Sequence, residues 1–186
     1  MLPRTKSSRP CAGSSTTPKS SSSRSWRPRP IPSLQKLILF LATGAGVGYA
    51  PLFPGTVGTL LAIPLSLALN RIAAASLPLA LLTLTAFIVS ATWFCQKGEE
   101  LLRQKDSPKI VIDEIAGFLL GNFLSPPAIK PAAAAFLLFR FFDIIKIFPA
   151  GAAQKLPGGV GVIADDLAAG FYTFMILQLL IFWGLV

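Results

Sequence analysis

The sequence predicts an all-α, multi-pass integral membrane protein of about five or six helices, some of them short or re-entrant. The chain has 186 residues and a mean hydropathy of +0.64, which is typical of a membrane protein. Residues 72–95 form 24 consecutive uncharged positions, enough to cross the hydrocarbon core of a bilayer. Strand-like alternation is absent from the chain, and its apolar runs are rich in Leu, Ala and Phe.

The first 33 residues differ from the rest of the chain. They are rich in Ser, Thr, Pro and Arg, and we expect a disordered basic tail because few apolar side chains offset the entropy of folding. Residues 1–36 hold eight of the 17 basic residues and no acid, so they account for most of the net charge of +9. The tail fits a dispensable extension, a basic arm on anionic lipid headgroups, an organelle transit peptide or a start site assigned too far upstream. Its only aromatic residue is Trp26, so no nucleic acid partner is predicted.

The residue types that are missing exclude several kinds of chemistry. The chain has no His, and therefore no His general base, nucleophile or metal ligand. Its two cysteines, Cys11 and Cys95, form no Cys-x-x-Cys pair, so neither a structural zinc site nor a disulfide framework is predicted. Catalysis in this chain must rest on carboxylates, Lys, Arg, hydroxyls, backbone groups or a hard metal ion.

The body of the chain, residues 34–186, is predicted to be a single membrane domain in which apolar segments alternate with polar connections. A polar interlude occupies residues 96–109, and glycine-rich loops occupy residues 43–59 and 156–161. Besides residues 72–95, the apolar segments are residues 37–41, 60–69, 110–124, 132–148 and 162–186.

Small residues predict close packing between two of these helices. Gly117 and Gly121 lie four positions apart, which places both on one helix face. Ala168, Ala169 and Gly170 provide a similar surface near the start of the last helix.

Acidic residues inside the apolar segments are the most informative feature of the sequence. Five of the eight acids lie there, namely Asp113, Glu114, Asp143, Asp165 and Asp166. A carboxylate at the centre of a membrane helix costs about 2.5–3.5 kcal/mol, so these acids need a cation, basic side chains or a place at the water interface. An interfacial or salt-bridged position is an equally good explanation for any one acid, but a weak explanation for all five.

Basic residues accompany one of these acids. Arg140, Asp143 and Lys146 lie at positions i, i+3 and i+6, so they fall on one side of a helix. Arg and Lys beside an acidic cluster suit an anionic substrate with phosphate oxygens.

The other four acids come in adjacent pairs. Asp165 and Asp166 follow the second glycine loop and open the last helix, where acids also favour the positive helix end. Asp113 and Glu114 point about 100° apart on a helix, so both cannot face one site equally. We expect one of them to bind a ligand directly and the other to act from the side.

Clustered carboxylates without His or Cys favour a hard cation, above all Mg²⁺. Glycine loops that open helices can present backbone N–H groups to an anion. The candidate backbone donors are Gly55, Gly58, Gly159 and Gly161, with the hydroxyls of Thr56 and Thr59 assisting. Together these features predict Mg²⁺-assisted chemistry on a phosphate at a membrane surface.

Several blocks of the sequence resemble the phosphatidylglycerophosphatase A family. They occur in the family's order and cover roughly residues 40–172, whereas the basic tail has no counterpart. The blocks are Pro51-Leu-Phe-Pro54 with Gly55-Thr-Val-Gly-Thr-Leu60, Asp113-Glu114-x-x-Gly117, Arg140-x-x-Asp143-x-x-Lys146 and Gly158-Gly-Val-Gly-Val-Ile-Ala-Asp165-Asp166-x-x-Ala169-Gly170.

The resemblance implies a multi-pass enzyme of the bacterial inner (cytoplasmic) membrane that acts on an anionic phospholipid. It would hydrolyse the terminal phosphomonoester of phosphatidylglycerophosphate with Mg²⁺, giving phosphatidylglycerol and phosphate. On this hypothesis the five acids hold one or two Mg²⁺ ions, while Arg140 and Lys146 neutralise the phosphate. A covalent aspartyl-phosphate is the alternative mechanism.

Two other functions compete with the phosphatase hypothesis. A membrane cation transporter or channel would also contain carboxylates, but spread along a path through the membrane. The phosphatase hypothesis instead predicts that the acids gather at one depth together with the basic residues. A purely structural membrane subunit would leave the acids and the glycine loops without a role.

Overall fold

The computed structural model describes residues 32–105, 107–145 and 159–186. In these ranges the protein has six α-helices and no strand, which confirms the predicted all-α class. The helices are α1 Ser33–Ala42, α2 Pro54–Ala75, α3 Leu77–Leu102, α4 Ile112–Gly121, α5 Ile129–Ile145 and α6 Gly159–Phe182. A short 3-10 turn, Val47–Tyr49, follows α1. Apart from its last two residues, the predicted tail of residues 1–33 lies outside the described ranges.

Three of the helices are long and apolar enough to cross a membrane. They are α2 with 22 residues, α3 with 26 residues, and α6, whose apolar part Val160–Phe182 has 23 residues. By contrast, α1 and α4 have 10 residues each. A helix of that length rises about 15 Å, roughly half of a hydrocarbon core. The chain is therefore a helical membrane protein that combines spanning helices with short ones.

The first glycine loop is shorter than the sequence predicts. Residues 43–59 were expected to form one loop, but α2 already begins at Pro54. Pro at the first helical position is favourable, because its fixed φ suits a helix and its missing N–H would have no partner there. Phe53, with φ 48°, takes the left-handed conformation that turns the chain into the helix. Gly55 and Gly58 therefore belong to the first turns of α2 and not to a loop.

The ends of several helices lie together at one end of the bundle. Gly55 and Gly58, at the start of α2, lie against the Glu114 side chain at the start of α4. The C-terminus of α1 joins them, because the N–H of Val111 donates to the carbonyl of Ala42 at 3.1 Å. We call this the charged end of the bundle; its charged residues are Asp113, Glu114, Arg140, Asp143, Asp165 and Asp166.

Helices α4 and α6 contact each other directly through backbone atoms at glycine positions. A Cβ atom on Gly117 would lie 2.5 Å from the carbonyl oxygen of Asp166. A Cβ on Gly170 would overlap the carbonyl oxygen of Gly117, and one on Gly121 would lie 2.9 Å from Thr173. The predicted small-residue packing is therefore confirmed, and it sets Asp113 and Glu114 of α4 beside Asp165 and Asp166 of α6.

The apolar core lies along the same helices. Phe118 of α4 and Phe139 of α5 are fully buried and meet edge to face, with ring centroids 6.1 Å apart. A smaller apolar cluster, which includes Cys95 of α3, Ile112 and Ile163, packs behind the acids. The acids are thus held between two apolar clusters at one end of the bundle.

Candidate active site

The five predicted acids and Arg140 all come together at the charged end. Asp113 and Glu114 occupy the first turn of α4, Arg140 and Asp143 lie near the end of α5, and Asp165 and Asp166 lie near the start of α6. Asp166 interacts electrostatically with each of the other four acids. Glu114 interacts with Asp113, Asp143, Asp165 and Arg140. This gathering is what the phosphatase hypothesis predicts and what a path of separate carboxylates would not give.

Arg140 is the described cation of the site. Its Nη1 atom lies 2.7 Å from Oδ2 of Asp143 and 4.0 Å from Oε1 of Glu114, so it bridges α5 and α4. The predicted i, i+3 relation between Arg140 and Asp143 is therefore realised as an ion pair. Nη1 is buried, and its contact with Asp143 is an ion pair rather than an aligned hydrogen bond.

Glu114 is the acid that projects toward α2. Its carboxylate lies so close to Gly55 that a Cβ on that residue would overlap Oε1, and a Cβ on Gly58 would lie 3.2 Å from Oε2. Oε2 is buried and accepts no hydrogen bond. Burial, followed by the charge of Asp113, raises the pKa of Glu114 to about 9, although Arg140 acts in the opposite direction. A cation beside this carboxyl group would stabilise its charged form.

Asp113 directly precedes Glu114 in the first turn of α4. It is 6% exposed and lies near Cys95 of α3. The Oδ1 atom of Asp113 accepts the N–H of Glu114 at 3.0 Å. In α6, Oδ1 of Asp165 accepts the N–H of Asp166 at 3.2 Å. Glu114 therefore faces α2 and α5, and Asp113 lies beside it in the first turn of α4.

The predicted substrate-binding glycines and threonines fall into two groups. Gly55 and Thr56 lie in the first turn of α2, where backbone N–H groups have no intrahelical partner. Gly159 and Gly161 lie at the start of α6 as the structure describes it. Thr59 instead is fully buried, and its hydroxyl donates to the carbonyl of Gly55 at 2.8 Å. Gly58 lies one turn into α2, where it gives Glu114 room. Lys146 and Gly158 lie outside the described residues.

The carboxylate oxygens of this site are the ligand type that a hard cation prefers, although they do not form a complete set of metal ligands by themselves. Across residues 32–105, 107–145 and 159–186, no three acidic side chains are placed so that they could hold a metal ion together. Mg²⁺ rarely uses such a cage; it commonly takes one or two carboxylates, waters and the phosphate oxygens of a substrate. Glu114 Oε2 provides a buried carboxylate oxygen that accepts no hydrogen bond, beside four further acids. The residues present therefore fit Mg²⁺ bound jointly with a phosphate.

A polar network at the other end of α4 was not predicted from the sequence. Asn122 donates to Ser66 at 2.9 Å and accepts from Ser125 at 2.7 Å, and Asn70 donates to the carbonyl of Asn122 at 2.7 Å. We call this the amide end; its polar residues are Ser66, Asn70, Asn122, Ser125 and Gln178. The available signal was that Asn70, Asn122 and Gln178 are amides in or beside apolar runs, which in a membrane need partners.

A bundle of apolar helices with carboxyl groups and a guanidinium gathered at one end defines a membrane protein with a polar site suited to a phosphate group. The model of the family described as Phosphatidylglycerophosphatase A matches residues 40–181. The chain belongs to this family, and it is a phosphatase.

Three named relatives match this chain over most of their own length. "Putative phosphatidylinositol-3-phosphatase" of Bacteroides thetaiotaomicron is 35% identical over 150 residues, covering 76% of this chain and 91% of the relative. Phosphatidylglycerophosphatase A of Haemophilus influenzae is 33% identical over 155 residues, covering 82% and 94%. Phosphatidylglycerophosphatase A of Escherichia coli is 31% identical over 141 residues, covering 74% and 79%. No solved structure matches the chain.

Proposed function

We propose that the protein hydrolyses the terminal phosphomonoester of phosphatidylglycerophosphate, releasing phosphatidylglycerol and inorganic phosphate in an Mg²⁺-dependent reaction. The observation that carries this proposal is the gathering of five acids and Arg140 at one end of apolar helices. The names of the relatives from H. influenzae and E. coli support this substrate. We also propose that the enzyme resides in a bacterial cytoplasmic membrane.

Arg140 and the helix starts would bind the phosphate. Nη1 of Arg140, which is paired with Asp143, faces the acids. There it could also hold a phosphate oxygen and offset charge that spreads over the phosphoryl group in a loose transition state. Backbone N–H groups in the first turns of α2 and α6 add further donors at positive helix ends.

The acids would hold Mg²⁺ and manage protons. Asp113, Glu114, Asp143, Asp165 and Asp166 are the candidate ligands, with one or two of them binding directly and the others acting through water. Bound Mg²⁺ supplies Lewis-acid polarisation of the phosphate and lowers the pKa of a bound water. A carboxylate that is not a ligand is then within reach to accept the proton of the attacking water. Attack by an aspartate to give a covalent aspartyl-phosphate is the alternative route.

The depth of the site suits a lipid headgroup. Asp166 lies seven residues from the first residue of α6, about 10 Å along the helix. This places the acids in the outer part of the membrane-crossing segment, where acyl chains meet the polar headgroup. A lipid lying beside the bundle can thus present its phosphate without leaving the bilayer.

The decisive experiment measures phosphate release by purified protein from phosphatidylglycerophosphate in detergent micelles. We expect release with Mg²⁺ and loss of activity in EDTA that is restored by added Mg²⁺. Activity that survives EDTA would remove the metal from the proposal. Absence of phosphate release from this lipid under all metal conditions would overturn the substrate assignment.

A second candidate substrate comes from the B. thetaiotaomicron relative, whose name refers to the 3-phosphate of phosphatidylinositol. This lipid is also a phosphomonoester on a diacylglycerol headgroup, so the same donors could bind it. Assaying both lipids at equal mole fraction in the same micelles separates the two candidates. We expect the higher kcat/KM for phosphatidylglycerophosphate; the reverse order would favour the inositol lipid.

A further inference from the structure

An apolar groove leads away from the charged end along α3. Leu41 of α1 and Ile112 of α4 form two of its walls, and its volume is about 340 Å³. Ile112 directly precedes Asp113 in the chain, so this end of the groove is one residue removed from the acids. The remaining lining residues belong to α3 and run from Thr83 to Phe94.

The two hydroxyl groups that line this groove are hydrogen-bonded within α3. The hydroxyl of Thr83 donates to the carbonyl of Leu79 at 2.8 Å, and that of Ser90 donates to the carbonyl of Ala86 at 2.7 Å. Both hydroxyls are satisfied within their own helix, so they place no hydrogen-bonding demand on an occupant. Ala86 and Ser90 are small and exposed, which keeps the groove open along its length. Its chemistry is that of a hydrocarbon surface.

The length of the groove matches one leaflet of a bilayer. Thr83 and Phe94 are separated by 11 residues of α3, which corresponds to about 16 Å along the helix. Half of a hydrocarbon core of about 30 Å is about 15 Å, the depth to which the chains of one leaflet reach. An acyl chain that starts at the acids therefore ends near Thr83.

We infer that this groove holds one acyl chain of the lipid substrate while its phosphate lies at the charged end. The inference rests on the proposed function, because it assumes that the phosphate bound there belongs to a diacyl lipid. Burial in the groove gains little over burial in the membrane, since both surroundings are apolar. Its effect is positional: a chain aligned with α3 fixes the distance between the phosphate and Arg140.

A second apolar cavity provides a matched control. It lies between α2, α3 and α4, has a volume of about 180 Å³, and includes Leu65 and Ala68 of α2. Leu65 is ten residues beyond Gly55, about 15 Å along α2 from the charged end. Ala68 is exposed, like Ala86, and it lines this cavity but not the groove. The two cavities share Thr83 and Phe87, so the control cavity adjoins the far end of the groove.

The test compares three phenylalanine substitutions on long-chain and short-chain substrate. Ser90→Phe obstructs the groove one helical turn closer to the charged end than Ala86→Phe, and Ala68→Phe fills the control cavity. Each variant is assayed with dioleoyl and dihexanoyl phosphatidylglycerophosphate at fixed mole fraction in mixed micelles. For the dioleoyl lipid we expect kcat/KM to fall about tenfold in Ser90→Phe and less in Ala86→Phe, because a displaced phosphate reacts slowly. For the dihexanoyl lipid, and for Ala68→Phe with either lipid, we expect changes within about twofold.

Equal losses on both chain lengths, or losses in the control variant as large as in Ser90→Phe, would overturn the groove as an acyl-chain site. If only the inositol lipid is hydrolysed, the proposed substrate fails, and the same chain-length series on that lipid still decides the role of the groove. A measurement independent of turnover uses dioleoyl-length phosphatidylglycerophosphate with a diazirine in one acyl chain. Photolysis on the wild-type protein is expected to label Leu77–Leu102, and labelling confined to other helices would contradict the inference.

Discussion

The two ends of α4 differ in how their polar side chains are satisfied. At the amide end, Asn122 and Ser125 are hydrogen-bonded to each other and to Ser66 and Asn70. At the charged end, Glu114 and Arg140 each have a buried atom that makes no hydrogen bond. Both groups of polar side chains lie among apolar helices, where an unsatisfied polar atom is costly. The satisfied network has no capacity left for a ligand and serves to hold helices together. The charged end keeps two buried polar atoms that make no hydrogen bond and that a ligand could satisfy, as in a binding site.

The comparison predicts that the two ends respond differently to substitution, and Asp166→Asn is the sharpest test at the charged end. We expect phosphatase activity to fall about 10²–10³-fold, the loss typical of removing one preorganised electrostatic group. We expect thermal stability to be unchanged or higher, because one of several mutually repelling carboxylates is removed. Initial rates and a thermal unfolding curve in detergent measure both effects. Activity within tenfold of wild type would remove Asp166 from the site.

Gly170→Val tests whether the α4–α6 contact joins the two ends. Its side chain would collide with the carbonyl oxygen of Gly117, so α6 must move away from α4. We expect a loss of about 1–3 kcal/mol in stability, as for overpacked cores, together with lower activity in the fraction that remains folded. Ala168→Val, at a partly exposed position of the same helix, is the matched control. Loss of stability with full activity would show that the site does not depend on this contact.

Gly55→Ala tests whether the glycines of α2 provide space for Glu114 rather than flexibility. The added Cβ would overlap Oε1, and the carboxylate must move away from α2. We expect activity to fall about tenfold, with little change in stability because Ala is the better helix former. Val57→Ala, which changes an exposed side chain of the same turn, is expected to stay near wild type. Unchanged activity in Gly55→Ala would show that the position of Glu114 does not matter.

Asn122→Ala is expected to have the smallest effect. It should lower stability and leave activity nearly unchanged, which is the opposite of Asp166→Asn. It removes the hydrogen bonds to Ser66 and from Ser125, each worth about 0.6 kcal/mol inside a membrane protein, so stability should fall by about 1 kcal/mol. The folded fraction should keep its activity within about twofold, because Asn122 lies a full helix length from the acids. Thermal unfolding and rates per folded molecule test this. A large loss of activity without loss of stability would contradict the division between the ends.

Much of the charged end could be predicted from the sequence because charges inside apolar runs are rare and costly. That argument selected the five acids that the structure brings together. The different roles expected for Asp113 and Glu114 stay a prediction. The start of α2 was predicted wrongly, because the same Gly- and Thr-containing run fits a loop and the first turns of a helix. Pro54 was the available signal, since Pro is favoured at the first helical position.

The amide end was missed for a different reason. Asn and Ser cost little in apolar sequence and carry no charge, so they do not stand out one by one. Their partners come from residues more than 50 positions away, as in the bond from Asn70 to the Asn122 carbonyl, and no local pattern encodes such a pairing. The acyl-chain groove was likewise invisible, because it depends on how α1, α3 and α4 pack and not on any single motif.

The direct backbone contact between α4 and α6 also affects how the protein adapts to bilayers of different thickness. Side chains can bend when two helices slide, but the carbonyl of Gly117 and the backbone of Gly170 have no such freedom. A change in hydrocarbon thickness must then be absorbed by tilting the long helices together, not by shifting one against the other. We expect the distances among the acids to be the same in thin and thick membranes, so that lipid composition alters how readily a substrate arrives more than how fast it reacts.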